Sequence, residues 1–449
     1  MSFPRVRLVA LLFVLVLPMR LHAYALLTHE QLIDLTWQDS IVPMLLSHYP
    51  NLTSAELDEA RAYAYGGCVI QDIGYYPFGD ASFSNLTHYV RPGDFVISLL
   101  RNAHNANELA FAIGALSHYV GDTIGHPDAV NVSVPVEFPS LAAKYGPSVN
   151  YAEGRHQHVR VEFAFDIDEV AHHRVAPLRY MRHIGLRVSM RQLALAFYQT
   201  YGITDGFSRF RGRRINVPAY RFATRSFIPR IAYAVTLLHR KHEPAETVSA
   251  ERDEYDAQVA AAAAKDNWQI YRHHAGIGTY MLAGIIFIVP KIGPLRLVSV
   301  KGPTEETEAK YLHSVLLSAV AFRRDLVRFT VPSVAANASP LRPRNNRHPL
   351  PNRDLDTGQV VRPGGYPLTD STYAALLHRI TIDPTQKIPP GIKEEVQAYY
   401  ANPDAPITTK KDATRWQQVQ ADLATLAGMP TSSEPEPYPT YGNEVADSE

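Results

Sequence analysis

Apolar residues recur at helical spacing along most of this 449-residue chain, and no convincing alternation of apolar and polar residues indicates strands. In residues 24–48 the apolar side chains have the spacing of one helix face, and the pattern ends near Pro50. The same periodicity returns in six further ranges: 94–103, 105–126, 155–171, 176–201, 217–241 and 251–274. The pattern predicts a mostly α-helical protein.

Residues 53–90 combine a helix start signal with a turn-rich stretch. Thr53 precedes Glu56 by three residues, which is a capping-box pattern, and the helix that it opens closes on Gly66 and Gly67. The following residues, CVIQDIGYYPFGDASFSNLTHYV, are rich in turn formers. We predict a long loop there, carrying Asp72 and His88.

Three polar residues stand in one row on the helix predicted for 105–126. His118, Asp122 and His126 are four residues apart, so a period of 3.6 residues per turn puts them on one face. The intervening residues are mostly apolar, and the row is therefore expected to point inward or into a cleft. A metal site and a hydrogen-bonded polar network are the two explanations.

Residues 276–289, GIGTYMLAGIIFIV, form an uncharged run. A helix needs about 20 apolar residues to cross a bilayer, so a buried core helix is the preferred interpretation and a membrane-touching element is the alternative. Beyond residue 331 the chain becomes rich in proline, arginine and asparagine, with short amphipathic pieces at 369–382, 391–401 and 412–427. We predict four parts: a signal peptide (1–23), a helical domain (24–330), a Pro-rich connector with short helices (331–429) and a disordered tail (430–449).

Composition and the N-terminus narrow the functional classes. Forty-four acidic and 44 basic residues give no net charge, so bulk electrostatics favours neither nucleic acid nor a membrane surface as partner. Arg5 and Arg7 precede the apolar run 8–18 and a small residue, Ala23, which is the order of a signal peptide. We expect cleavage after Ala23 and a secreted or periplasmic protein. With a single cysteine, such a protein has no internal disulfide.

Further metal donors occur elsewhere in the sequence. His158 and Glu162 are spaced by four residues on a second helix, whereas His156 has Arg160 in the same register, which makes it the poorer candidate. Asp72, His88 and His29 complete the set. Alone, each has an ordinary explanation, such as a salt-bridged pair or a turn residue; as an ordered series they favour a zinc site.

This ordered series resembles the zinc-dependent phospholipase C family, whose fold is shared with single-strand-specific zinc nucleases. The resemblance covers residues 24–175 in its motifs and extends to about 330 in helical architecture. His126 follows Asp122 after three intervening residues, a short spacing that is similar to the N-terminal domain of glycosylphosphatidylinositol-specific phospholipase D. The series consists of Tyr24, His29, Asp72, His88, His118, Asp122, His126, His158 and Glu162.

The resemblance implies three zinc ions. Asp72, His88, His118 and Asp122 would hold one, and Asp122 would bridge to a second that is bound by His29 and by the free amine and carbonyl of Tyr24. The third would be held by His126, His158 and Glu162. Cleavage after Ala23 would then create the amine ligand.

The resemblance also implies phospholipase C-type hydrolysis of phospholipids by a zinc-activated water, with Asp72 as the catalytic residue and a phospholipid or membrane surface as partner. Tyr75, Tyr76 and Phe78 would line the substrate cleft. Two alternatives remain: a single-strand nuclease, in which these aromatic residues stack bases, and a catalytically silent module that zinc stabilises. We predict no protein partner.

Overall fold

The computed structural model describes residues 26–76, 79–203, 216–239, 249–272, 276–290, 299–300, 302–330, 349–389 and 391–431. Within these ranges the chain is mostly helical and forms isolated β-bridges but no sheet. The prediction of a mostly α-helical fold is confirmed. The proposed signal peptide, Tyr24 and Phe78 lie outside the described residues.

The first half of the chain contains the helix that carries the predicted row of polar residues, together with ten other α-helices among the described residues. They are α1 (Leu26–Thr36), α2 (Val42–His48), α3 (Ser54–Gly67), α4 (Ala81–Tyr89), α5 (Pro92–Arg101), α6 (Ala106–Gly125), α7 (Asn131–Glu137), α8 (Pro139–Tyr145), α9 (Tyr151–Ala171), α10 (Leu178–Ile184) and α11 (Met190–Tyr201).

The second half of the chain supplies nine further α-helices among the described residues. They are α12 (Val217–Phe222), α13 (Ile228–His239), α14 (Ala250–Lys265), α15 (Trp268–Tyr271), α16 (Ile277–Ile288), α17 (Glu305–Thr330), α18 (Pro367–Thr381), α19 (Ile392–Tyr400) and α20 (Ala413–Gly428).

Helix α6 is the central element of the fold. Sixteen of its 20 residues are buried, and it packs against α1, α3, α5 and α17. Asn105 begins α6 by accepting a hydrogen bond from the backbone N–H of Glu108. Because apolar residues cover most of α6, the helix is held on several sides, and polar side chains on it are fixed in position.

Helices α3 and α6 approach each other closely at two glycines. A Cβ atom at Gly114 would overlap the carbonyl oxygen of Ala64 and lie 2.7 Å from the backbone N of Cys68. A Cβ atom at Gly67 would overlap the carbonyl oxygen of Phe111. The absence of side chains at both positions therefore sets the distance between the two helices.

Three predictions about local structure need correction and one is confirmed. The helical range predicted for 176–201 is interrupted at residues 185–189, between α10 and α11. His88 does not lie in a loop: Asp80 caps α4, which contains His88, while Asp72 ends a short 3₁₀ turn, Ile70–Asp72. The turn-forming residues of this stretch thus serve as caps between short helices. The helix predicted for 251–274 is divided into α14 and α15. The capping box of Thr53 and Glu56 is present, with both reciprocal hydrogen bonds.

The described residues from 349 onward form one irregular segment with two turns, followed by three α-helices. The irregular segment, residues 349–366, is called the C-terminal strap below. Its Leu350 and Leu355 belong to the same hydrophobic core as α6. Helix α18 follows it and packs against α4 and α20. Helices α18, α19 and α20 match the three amphipathic pieces that the sequence indicated.

The uncharged run 276–289 forms α16, which is buried on one side only. Leu282, Ala283 and Ile286 face the protein, and α16 packs against α13. The opposite side exposes large apolar residues, with Ile277 at 81% and Ile288 at 80%. The preferred expectation of a fully buried core helix is therefore wrong for this element. Among the described residues, no helix combines the length and apolarity needed to cross a membrane.

Replacing Gly114 with alanine tests the contact between α3 and α6. We expect Gly114→Ala to lower the free energy of unfolding by about 1–3 kcal/mol, because the new methyl group forces the two backbones apart. Gly284→Ala in α16 is the matched control, since a Cβ there meets no atom within 4 Å. The control should be neutral or stabilise by up to about 1 kcal/mol. Urea denaturation of both variants measures the difference, and equal behaviour would contradict the steric explanation.

Candidate metal centre

Eight of the nine predicted ligands lie together, and the carboxylate of Asp122 stands among the other seven. Asp122 and His118 point from the same face of α6, as their spacing of four residues requires. His29 projects from α1 and His88 from α4, while His126 begins the π-helical turn that follows α6. All of these side chains are buried.

Each oxygen of Asp122 faces two imidazoles. Oδ1 lies 3.2 Å from Nε2 of His29 and 4.0 Å from Nε2 of His126. Oδ2 lies 3.1 Å from Nε2 of His118 and 3.6 Å from Nε2 of His88. Asp122 is therefore the residue that connects the groups of donors described next.

Two groups of potential metal ligands share His118. The first group is His29, His118 and Asp122; the second is Asp72, His88 and His118, and in each the donor atoms lie within 4.8 Å of one another. Nε2 of His88 is 3.2 Å from Oδ1 of Asp72. The rings of His29 and His118 stack at 4.2 Å, and a Cβ at Gly121 would lie 3.3 Å from Nδ1 of His29. Glycine at 121 thus leaves room for the His29 ring against α6.

The third group consists of His126, His158 and Glu162. Oε1 of Glu162 lies 3.0 Å from Nε2 of His158 and 3.4 Å from Nε2 of His126. His158 and Glu162 occupy successive turns of α9, which Asn150 and Glu153 begin with a capping box. His156 is exposed. The structure thus brings His158, and not His156, to the other ligands.

Backbone carbonyls fix the orientation of three of the histidines. Nδ1 of His88 lies 2.8 Å from the carbonyl oxygen of Ser84, and Nδ1 of His118 lies 2.9 Å from that of Cys68. Nδ1 of His126 lies 2.7 Å from the carbonyl oxygen of Leu355. A carbonyl only accepts, so each Nδ1 carries the proton and each Nε2 presents its lone pair to the cluster. Metal-binding histidines are oriented in this way.

Several polar atoms of the cluster are buried and have no hydrogen-bond partner among the described residues. They are both carboxylate oxygens of Asp72 and of Asp122, Nε2 of His88 and of His118, and Oε1 of Glu162. The ion pairs that the structure shows for these three carboxylates are all with histidines. Burying so many acceptors without donors is costly unless a cation binds them. Imidazole and carboxylate are zinc ligands, and the donor set therefore fits Zn²⁺.

The pKa shifts identify Asp122 as the anionic centre. Burial alone would raise the pKa of Asp122, but His118 and His126 hold it well below its usual range. Burial raises the pKa of Asp72 well above its usual range; His118 opposes this shift and Asp122 reinforces it. Burial and His118 lower the pKa of His29 to about 4. The two aspartates thus differ in electrostatic character although both are buried.

Comparison with protein-family models finds a match that contains the metal centre. Residues 28–206 match the model of the family described as zinc dependent phospholipase C. Over these residues the chain is similar to that family. The match includes all eight clustered ligands and ends well before the C-terminal strap. Searches of curated proteins and of solved structures found no match for the chain.

The other residues predicted for the site lie close to it or outside the described residues. Tyr75 and Tyr76 are buried, at 3% and 5% exposure. The hydroxyl of Tyr75 donates to Asn85, and the Tyr75 ring lies 5.3 Å from the ring of His88; Tyr76 contacts Tyr220. Their role in binding substrate stays a prediction, as do the roles of Tyr24 and Phe78, which the structure does not describe.

A fourth group of donors has a different character. Asp168, His172 and Glu308 also lie close together, separately from the eight ligands around Asp122. Arg174 pairs with Asp168 at 3.0 Å and with Glu308 at 3.3 Å, and Arg252 contacts Glu308 as well. Because guanidinium groups already compensate these carboxylates, we assign the fourth group to an ion-pair network.

The sequence interpretation missed the C-terminal strap, which supplies the carbonyl that holds His126. It treated this stretch as a connector because proline, arginine and asparagine are frequent there. The short motif DLDTG, residues 354–358, is the signal that could have drawn attention, since it places two aspartates beside a turn.

Zinc analysis of three histidine variants tests the assignment of ligands. We expect His158→Ala to lower the zinc content of the purified protein, and His118→Ala to lower it more, because His118 belongs to two groups and His158 to one. His172→Ala, in the fourth group, should leave the content unchanged. Atomic emission on folded, gel-filtered protein is the measurement. Equal losses in all three variants would show that the grouping is wrong.

Proposed function

We propose that this protein is a zinc-dependent phosphodiester hydrolase that cleaves phospholipids in the manner of a phospholipase C. The observation that carries the proposal is the buried set of eight donors around Asp122, which lies within a segment of the zinc dependent phospholipase C family. That family consists of hydrolases, and the donors fit Zn²⁺. The number of ions, proposed to be three, rests on the three groups of ligands.

The proposed reaction breaks one phosphorus–oxygen bond of the lipid. The oxygen of a water molecule attacks phosphorus, the bond to the diacylglycerol oxygen breaks, and the leaving oxygen takes up a proton while the phosphorylated headgroup is released. When bound, zinc supplies a Lewis acid for the phosphoryl oxygens and lowers the pKa of a coordinated water toward about 7. No side-chain nucleophile is therefore required.

Asp72 is the residue proposed to orient the attacking water and to accept its proton. Both of its oxygens are buried and have no hydrogen-bond partner among the described residues, so they are available to a water molecule or a cation. Burial raises the pKa of its carboxyl group, and a higher pKa makes the ionised carboxylate a stronger base. Nε2 of His88 lies 3.2 Å from one of these oxygens, within the same group of potential ligands.

The proposal of a secreted or periplasmic location rests on the sequence of residues 1–23. Cleavage after Ala23 would expose the amine of Tyr24, which precedes Leu27 of α1 by three residues. The backbone N–H of Leu27 donates to Oδ1 of Asp166 on α9. This hydrogen bond ties the beginning of α1 to the helix that carries His158 and Glu162.

A substrate comparison tests the function. Purified protein is given vesicles of mixed phospholipids and, separately, single-stranded DNA, each with and without a chelator. We expect phosphorylated headgroups to be released from vesicles, and the chelator to stop the release. Release of nucleotides instead would assign the protein to the nuclease alternative, and zinc binding without cleavage of either substrate would support the silent module.

Asp72→Asn separates catalysis from structure in the same assay. The variant should retain its fold and much of its zinc while losing headgroup release by two orders of magnitude or more. Unfolding of the variant, followed by circular dichroism, would instead assign Asp72 a structural role.

The exposed side of α16 is proposed to contact the bilayer that contains the substrate. All 12 residues of α16 are uncharged, and Ile277, Met281 and Ile288 are exposed at 81%, 60% and 80%. A bilayer surface accepts such a face at the boundary between headgroups and acyl chains, and no charged side chain on α16 opposes its entry. Because phospholipids are presented in bilayers, this contact would raise the local concentration of substrate.

Replacing Ile277, Met281 and Ile288 together with serine tests this contact. We expect binding to phospholipid vesicles to fall at least tenfold, with hydrolysis of a short-chain monomeric lipid unchanged. Val320→Ser with Val327→Ser is the control, since these valines of α17 are exposed at 63% and 61%. Co-sedimentation with vesicles is the measurement. An unchanged partition, or a change in oligomeric state instead, would show that a bilayer is not the partner of α16.

A further inference from the structure

We propose that the C-terminal strap completes the metal centre, with Leu355 and Asp356 as positioning residues for His88 and His126. The inference rests on the zinc centre of the proposed function and extends it to residues that lie outside the family segment 28–206. Neither residue is offered as a metal ligand. Their role is to fix the ligands' direction and tautomer.

Leu355 links ligands of two different groups through its backbone. Its N–H donates to the carbonyl oxygen of His88 at 3.1 Å, and its carbonyl oxygen accepts from Nδ1 of His126 at 2.7 Å. His88 belongs to the second group and His126 to the third. One peptide segment therefore sets the separation between two groups of ligands, because both hydrogen bonds start from the same residue.

Asp356 lies next to Leu355 in the strap, and its carboxylate is close to Nδ1 of His126. Its carboxylate is buried, and Oδ2 accepts hydrogen bonds from the hydroxyls of Tyr89 at 3.0 Å and Tyr366 at 2.5 Å. Oδ1 lies 3.9 Å from Nδ1 of His126, on the side of the ring that faces away from the cluster. Its backbone carbonyl accepts from Nδ2 of Asn131 at 2.7 Å. The carboxylate thus places a negative charge beside the imidazole N–H, which strengthens His126 as a donor.

The strap is anchored to the family segment on both sides of Leu355. The hydroxyl of Tyr119, on α6, donates to the carbonyl oxygen of Pro351 at 2.5 Å. Gly358 has φ of 67°, and a Cβ there would lie 2.5 Å from the carbonyl oxygen of Thr123. Glycine is required for this turn and for its close approach to α6. These contacts keep the strap beside the last two turns of the helix that carries His118 and Asp122.

Two pairs of matched variants test the positioning role. Asp356→Asn keeps the shape of the side chain and removes its charge. Asp370→Asn makes the same change at another buried aspartate. Asp370 accepts hydrogen bonds from Tyr399, Thr408 and the backbone N–H of Gly364, and contacts none of the eight ligands. Tyr366→Phe and Tyr399→Phe remove the hydroxyls that donate to these two aspartates. Each pair compares an equal chemical change near and away from His126.

Zinc affinity is measured by competition with a chromophoric chelator, and ligand geometry by the visible absorbance of the Co²⁺-loaded protein. We expect Asp356→Asn to weaken the affinity of one zinc by about 10–100-fold and to shift the Co²⁺ spectrum. Tyr366→Phe should act in the same direction to a smaller extent and serves as the test if Asp356→Asn does not fold. Asp370→Asn and Tyr399→Phe should lower thermal stability without changing zinc affinity.

The outcomes separate this inference from the proposed function. If wild-type protein binds no zinc, the metal centre and the inference are both wrong. If wild-type protein binds zinc and the Asp356 and Tyr366 variants match it within twofold, the inference alone is wrong. An equal loss of affinity in the Asp370 and Tyr399 variants would likewise overturn it, because the effect would then reflect general stability.

Discussion

The carboxylate of Asp122 is the constraint on which the rest of the structure depends. Its two oxygens face four imidazoles that come from α1, α4, α6 and the turn after α6. Such a concentration of polar groups is stable in a protein interior only if its surroundings are rigid and its charges are balanced. The close contact of α3 and α6 supplies rigidity, and the ionised form of Asp122 supplies the negative charge that a cation would share.

Much of the fold and of the ligand set could be predicted from sequence because both depend on short-range periodicity. A spacing of four residues determines that His118 and Asp122 share a face, and likewise His158 and Glu162, whatever the rest of the chain does. The choice of His158 over His156 followed from the same rule and agrees with their burial. Short-range rules also gave the position of the capping box at Thr53.

The features that could not be predicted depend on contacts between distant residues. His88 was assigned to a loop because local turn propensity does not reveal that Asp80 caps a helix packed on α5 and α18. The outward apolar side of α16 depends on which neighbours cover it. Leu355 acts through backbone atoms, and these carry no signature in the amino-acid sequence. In each case tertiary packing decided between alternatives that the local sequence left open.

The hydrogen bond between His126 and Leu355 joins residues that are 229 positions apart in the chain. During synthesis on a ribosome, the ligands of all three groups emerge long before the carbonyl that orients His126. The contact that orients His126 can therefore form only after the chain has been synthesised as far as the strap. A chain cut before residue 349 would carry all eight ligands and lack the carbonyl that orients one of them.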